Sequence, residues 1–459
     1  MTSIQPYARR FKNQLQASTV EFIHPDSVQA ACRTAGHRWR RCFWTPTVTL
    51  LTFLRQILHA NCSCRQAVAL TLAATAAKAA GDDPASGDPS AYSQARQKLP
   101  RRVLESLNAA AVRDVRTQVS PSRLWCDRTV AVVDGSSASM PDLPALQKAF
   151  PQPSGQKPGC GFPVMRLVGL FCWASGCLLE LVADSLQVGE LTMFRRLLGT
   201  LARGTVVLGD TYFGSYYDLV LLQRHGLDGV YRLHQRRPTD LRCGRRLGKG
   251  DHSITWSKPK IRPRGLSGED WAGVPETLTV RHVQAEIDIP GFRSRQLDVV
   301  TTLLDPIAFP AAELARLYRD RWMVELNLRS LKTTLKMETL KGQSVEMVRK
   351  ELLAYQLAYN LIRLLMWRAA QHHGMDVRRL SFAGTQQRVM AVLPYLGQCR
   401  TRDHQQVWAR YLLAQIARDS LPDRPDRIEP RAVKRRPKNY RRLTRPRHEA
   451  KKLMYFING

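Results

Sequence analysis

The run VMRLVGLFCWASGCLLELVADSL, residues 164–186, decides the fold: it is either one membrane-spanning helix or two strands. Its length suits a span of about 20 apolar residues. However, it carries Arg166, Glu180 and Asp184, and it is interrupted at Ala174-Ser175-Gly176. A small-residue turn between two apolar segments reads as a hairpin, so strands are expected at 164–173 and 177–185. No other segment reads as a membrane span, and no membrane partner is expected.

Working outward, a short apolar strand at 129–133 precedes the hairpin and ends in Asp134-Gly135-Ser136. A Pro/Gly-rich loop, 151–163, separates the two. After the hairpin come a helix at 190–201, a buried strand at 205–208 running into Gly209-Asp210, a helix at 216–225 and a strand at 229–233. Three strands followed by helix, strand, helix and strand make a meander extended by crossovers, an α/β mixed sheet. Residues 234–299 interrupt that order. They carry basic pairs, Arg245-Arg246 among them, and strand patterns at 276–282 and 296–303, and are read as a β-rich insertion with a basic surface.

Both ends of the chain read as helical. In 1–119, helical spacing appears at 47–59, 65–80 and 92–110, with breakers at 82–90. His37-Arg38-Trp39-Arg40-Arg41 reads either as a phosphate contact or as a solvated helix face with Trp39 packed inward. Helical periodicity returns at 311–336, 344–370 and 403–417. The tail 431–452 holds eleven Lys/Arg against one acid, Glu449, and is expected to be extended or weakly ordered. The expected domains are 1–119, 120–233, 234–299, 300–372 and 373–459.

Lys and Arg number 70 against 38 Asp and Glu, a net charge of +32, which favours a polyanionic partner. There is no long apolar signal core at the N-terminus, and a reducing, cytoplasmic setting is expected. The ten Cys show no paired zinc spacing and read as small buried thiols. Asp127 reads as a turn residue and His372-His373 as a helix end.

The chemistry lies in acids. Asp134 and Asp210 each follow a short apolar strand and precede a small or polar turn. On the helix from residue 311, Tyr318, Arg321, Glu325 and Lys332 are spaced by 3, 4 and 7. At about 100° per residue they fall within an arc of roughly 60°, beside an apolar stripe of Leu317, Val324, Leu328, Leu331 and Leu335. Asp320 points away from that arc. Three carboxylates in one cleft would bind Mg²⁺ or Mn²⁺, hard ions that prefer oxygen. Two such ions about 3.5–4 Å apart serve phosphodiester cleavage and transfer, with Arg321, Lys332 and Tyr318 holding phosphate oxygens.

These residues resemble the IS4-type DDE transposases, whose signature Y-x2-R-x3-E-x6-K is complete in Tyr318, Arg321, Glu325 and Lys332. The likeness extends to VVDGS at 132–136, VLGDTYF at 207–213, TTLLDP at 301–306 and AYNLIR at 358–363. It implies an RNase H-like core with a β-rich insertion in the 115-residue spacing from Asp210 to Glu325. It also implies that Asp134, Asp210 and Glu325 bind metal, two ions per site. The implied reaction is cleavage of double-stranded DNA at terminal inverted repeats and joining of the 3′-hydroxyl ends to target DNA, by a homodimer in a synaptic complex, the protein being nucleoid-associated when bound. An aromatic residue of the insertion, Trp256 or Trp271, would stack on a flipped base; packing inside the insertion is the other reading of both. A metal-dependent endonuclease without strand transfer and a non-catalytic DNA-binding protein are the alternatives.

Overall fold

The computed structural model describes residues 24–40, 42–76, 87–118, 123–234, 237, 241, 244–263, 266–286, 296–398, 401–422 and 444–457. They fall into two compact units. One comprises the described parts of Met1–Arg123, Ala174–Leu179 and Asn327–Pro422; the other, those of Leu124–Trp173, Glu180–Leu326 and Asp423–Gly459.

The second unit is built on a sheet. Its strands are β1 (Val130–Ser139), β2 (Val164–Cys172), β3 (Leu178–Ser185), β4 (Val206–Gly209), β5 (Asp228–Arg232), β6 (Arg245–Gly248), β7 (Asp251–Ser257), β8 (Thr277–Glu286) and β9 (Gln296–Thr301). The first two residues of β3 are grouped with the other unit. The strand order is β3-β2-β1-β4-β5-β9-β8-β7-β6. β1 is antiparallel to β2 and parallel to β4, and β4 is parallel to β5. From β5 outward through β9, β8, β7 and β6 every pairing is antiparallel. The 164–185 run is thus two strands, and among the described residues no helix is long and apolar enough to cross a membrane.

Several expectations change. The first strand does not stop before Asp134: β1 runs on to Ser139 because β2 pairs with it from Ala131 to Ser139. The strands of 234–299 do not form a separate sheet. β9 pairs with β5, so they extend the same sheet, and the expected boundary at 299/300 cuts through β9. The helix expected over 311–336 is three pieces: Ala311–Asp320, Trp322–Arg329 and a π turn at Ser330–Thr334. At Arg321 the backbone tightens, with i→i+3 bonds from Arg321 N to Tyr318 O (3.1 Å) and from Val324 N to Arg321 O (3.0 Å). In the tail, residues 423–443 lie outside the described residues, while Arg447–Ile457 is helical rather than extended. Its Arg447 bonds Asp142 and lies 4.0 Å over the Phe162 ring.

The helical unit has the helix Val345–His372 at its centre. It has no polar face: residues on every side of it are buried. A helix apolar all round must be enclosed, and it packs against Pro46–Leu58, Arg101–Gln118, Phe382–Gln398 and Arg402–Arg418. The N-terminal helices therefore share a core with later ones and are not a domain apart. His37–Arg40 is not helical; Trp39 is exposed, its ring stacked with His37. The breakers at 82–90 fall partly on 77–86, outside the described residues, and Pro89 already starts a helix. The eight described cysteines are free thiols, with Cys32, Cys62 and Cys177 buried and Cys42 exposed.

Several buried polar groups on the central helix have partners, while Trp367 Nε1 has none among the described residues. Lys350 Nζ donates to Gln97 O (2.8 Å), and Glu351 accepts from Lys341 N (2.9 Å) and Gly342 N (2.8 Å). Asn360 clasps Leu178: its Oδ1 accepts from Leu178 N and its Nδ2 donates to Leu178 O, both at 2.8 Å. Tyr359 donates to Gly176 O at 2.7 Å. Tyr359, Asn360 and Arg363 of the AYNLIR segment thus serve internal hydrogen bonding. Asn360→Ala strands two buried backbone groups at about 1–3 kcal/mol each. Urea denaturation followed by circular dichroism is expected to show a clearly lowered midpoint for Asn360→Ala.

Candidate active site

The site begins with three parallel strands side by side, of which β4 and β5 end level with Asp134 while β1 runs on. Val130–Val133 and Val206–Leu208 are wholly buried apolar runs, which fixes β1 and β4 in the middle of the sheet. Val132 pairs with Leu208, so Asp134 and Asp210 each lie two residues beyond the same rung and share a face. Gly209 pairs with Tyr231, so Arg232 comes level with Asp210. Asp134, within β1, therefore forms a row with Asp210, just past the end of β4, and Arg232, the last residue of β5. β1 continues past that point paired only with β2, leaving the edge beside Asp134 open.

Two glycines make the row possible. A Cβ on Gly209 would lie 2.8 Å from Tyr231 Cε1 and 2.9 Å from Val133 Cγ1. A Cβ on Gly135 would lie 2.8 Å from the Glu190 carboxylate. Backbone amides hold both aspartates: Gly135 N donates to Asp134 Oδ1 (2.8 Å) and Tyr212 N to Asp210 Oδ1 (2.9 Å).

The helix Ala311–Asp320 packs on β5, β8 and β9 and supplies the other groups. Leu314, Leu317 and Val324 are buried, while Tyr318, Arg321 and Glu325 are half-buried. Tightening at Arg321 leaves the i,i+4 pair intact, with Arg321 Nη2 donating to Glu325 Oε1 at 2.9 Å. Burial pushes the Tyr318 hydroxyl up, opposed by Arg321 and Arg232 and reinforced by Asp210. Burial works against the Arg321 charge, but Tyr318, Glu325 and Asp134 together raise it. Asp134 is pushed up to about 6, mainly by burial; the Gly135 amide and Arg321 oppose this, while Asp210 and Glu325 add to it. The electrostatic reach of Asp134 thus includes both other carboxylates. Lys332 lies on the π turn, in the helical unit, where 100° spacing no longer sets its azimuth.

Two cavities open here. One, about 250 Å³, is lined by Asp134, Gly135, Arg166, Glu190, Asp210, Tyr212 and Phe213. Arg166 faces Glu190 at 3.7 Å and donates to Val188 O at 2.6 Å. The other, about 350 Å³, has aromatic walls that include Tyr212, Tyr216, Trp256 and Trp271. Trp256 is only 8% exposed and is covered by the Arg237 guanidinium 3.7 Å from its ring. Trp271 is half-buried on the short helix Gly268–Ala272, with Lys258 Nζ 5.1 Å from its ring.

Sequence reasoning missed Arg232, Arg166, Glu190 and Tyr212. Arg232 carried a signal, a lone cation ending a buried strand; Arg166 and Glu190 become relevant only through the pairing of β1 with β2. Asp320, set aside earlier, accepts from Trp173 Nε1 at 3.2 Å. Asp127 lies in a turn at φ 58°.

Carboxylates on neighbouring strands facing a Tyr-Arg-Glu helix are the parts of a phosphodiester-processing enzyme, and residues 125–361 match the family model of the transposase DDE domain. The chain belongs to the DDE-domain transposases, enzymes that act on DNA. It is 29% identical over 366 residues to transposase InsG for insertion sequence element IS4 of Escherichia coli (strain K12), covering 77% of this chain and 78% of that one. It is 28% identical to the putative transposase InsZ of the same organism over 30% of this chain and 46% of the relative. A solved piggyBac transposase synaptic complex with hairpin DNA is similar at 9% identity and a TM-score of 0.41, covering 88% of this chain and 84% of that one, too distant to carry an argument.

The donor set suits a hard divalent ion, since Asp134, Asp210 and Glu325 offer only carboxylate oxygens. Among the described residues no three of His, Cys, Asp and Glu converge closely enough to hold one ion.

An acid whose pKa rises on folding holds its proton more tightly in the folded chain. Its contribution to stability therefore declines as pH climbs from the unfolded value through about 6. Without metal, Asp134→Asn should melt higher than wild type at pH 7.5, by about 1–2 kcal/mol after solvent screening. The difference should vanish by about pH 4, as thermal melts across that range would show.

Proposed function

We propose that Asp134, Asp210 and Glu325 form the catalytic centre of this transposase, binding two Mg²⁺ or Mn²⁺ ions. The observation that carries the proposal is that strand register sets Asp134 level with Asp210, where both line one cavity. Bound ions would activate the attacking oxygen and stabilise the leaving one. The chain's own side chains do the positioning. Asp134 and Asp210 are presented by neighbouring parallel strands and fixed by amides, and Glu325 must release Arg321 to serve as a ligand. Arg321 is then free to grip a phosphate, with Tyr318 donating to a neighbouring phosphate oxygen. Lys332 and Arg232 add to the phosphate contacts. The Arg232 side chain has no hydrogen bond or ion pair among the described residues and lies in the row of acids.

The fold supports this reading. A meander of β1, β2 and β3 extended in parallel by β4 and β5 is the arrangement the RNase H-like reading requires, with β6–β9 as the elaboration before Glu325. The substrate is double-stranded DNA with terminal inverted repeats. It is cut to free 3′-hydroxyls that join target DNA, with two copies of the chain acting together in the cytoplasm. Of the two insertion tryptophans, Trp271 is the better candidate to stack on a displaced base: it is half-buried where Trp256 is 8% exposed, and Lys258 lies farther from its ring than Arg237 does from that of Trp256.

The test uses labelled terminal-repeat DNA with Mg²⁺. Asp134→Asn, Asp210→Asn and Glu325→Gln should each reduce cleavage and joining to background while DNA binding in a gel-shift assay persists. Any variant that still cuts at the wild-type rate removes that residue from the centre. Arg232→Ala should weaken binding and flatten its dependence on salt by roughly one phosphate contact, read from affinity measured over a salt series.

A further inference from the structure

The two cavities share Tyr212, which lines both the acidic one and the aromatic one. Its ring is 52% exposed, unusual for a large aromatic inside a sheet unit. Beneath it the anchoring is firm. Tyr212 meets Phe213 edge-on at 5.8 Å and 79°, and Phe213, 1% exposed, meets the fully buried Phe194 at 5.2 Å and 68°. The Tyr212 amide is the group that holds Asp210 Oδ1. One residue therefore offers an open aromatic face, borders the carboxylates and fixes one of them.

We propose that Tyr212 is a substrate-contacting residue whose ring stacks on the nucleobase next to the phosphate being cleaved. The proposal rests on the catalytic reading above and adds how the DNA end is seated. A nucleotide with its phosphate at Asp134 and Asp210 and its base directed to the aromatic cavity must pass over the Tyr212 ring. Every base has a face that can stack there, so the contact sets position rather than sequence. Through the amide, a ring held down by a base also holds the 211–213 turn that orients Asp210.

The experiment pairs the residue with the base. Terminal-repeat duplexes carry either 2-aminopurine or an abasic site at the nucleotide flanking the cleaved phosphate. Without divalent metal, wild type and Tyr212→Phe should quench 2-aminopurine fluorescence on binding and Tyr212→Ala should not. With Mg²⁺ and saturating DNA, Tyr212→Ala should cleave the intact-base duplex about ten- to a hundredfold more slowly, and Tyr212→Phe should restore most of the rate. On the abasic duplex wild type and Tyr212→Ala should cleave alike. Equal losses on both duplexes, a Phe variant as slow as Ala, or unchanged quenching in Tyr212→Ala each overturn the proposal. Failure of the catalytic reading shows separately, as wild type that leaves DNA uncut with Mg²⁺ while the fluorescence arm still reports on stacking. The exposed ring makes Tyr212→Ala a mild change for folding, and an unaltered melt checks this.

Discussion

Two carboxylates cannot be set side by side in a half-buried cleft unless the backbone forces them there. Here the forcing element is strand register. Val132 against Leu208 and Gly209 against Tyr231 align three parallel strands, so two carboxylates and a guanidinium emerge level with one another. The register is held by fully buried valines and leucines, whose slip by one residue would turn every side chain to the other face. Asp134 is raised mainly by burial, with a smaller contribution from the neighbouring acids, and the Gly135 amide and Arg321 offset part of it. Such a cluster costs stability and is reactive towards cations for the same reason.

The helix that brings Glu325 answers a different constraint. An unbroken α-helix cannot keep buried leucines on one line and functional groups on another through 26 residues, since 3.6 residues per turn drifts. The chain departs from ideal geometry twice, tightening at Arg321 and widening at Ser330–Thr334. Both departures fall within or beside the signature, and single-turn π segments are frequent at functional positions.

Much of this was legible in the residues. The hairpin at 164–185 was readable because Arg166, Glu180 and Asp184 rule out a bilayer and Gly176, at φ 71°, suits the turn. Asp134, Asp210, Tyr318, Arg321 and Glu325 were picked out as candidates from strand patterns and helical spacing, although β1 runs on past Asp134. What could not be read was long-range pairing. Nothing local in 296–301 says that β9 hydrogen-bonds to β5, so the insertion looked self-contained. Nothing local in 101–118 says that the segment packs on a helix more than two hundred residues later. Lys332 was placed by an ideal helical angle that the π turn does not keep. Arg232, Arg166, Glu190 and Tyr212 are ordinary residues in sequence and gain meaning only from the neighbours that the sheet gives them.

The continuity of the sheet from β5 into β9 and β8 has a mechanical consequence. A hinged accessory domain could tilt freely when DNA pushes on it. A hydrogen-bonded extension is instead a stiff plank: Val230, Tyr231 and Arg232 are riveted to Thr301, Val300 and Val299. Force applied at the aromatic wall around Trp271 would travel along that plank to the strand that ends in Arg232. Seating of the DNA end and alignment of the cutting groups would then be one rigid-body event rather than two successive ones.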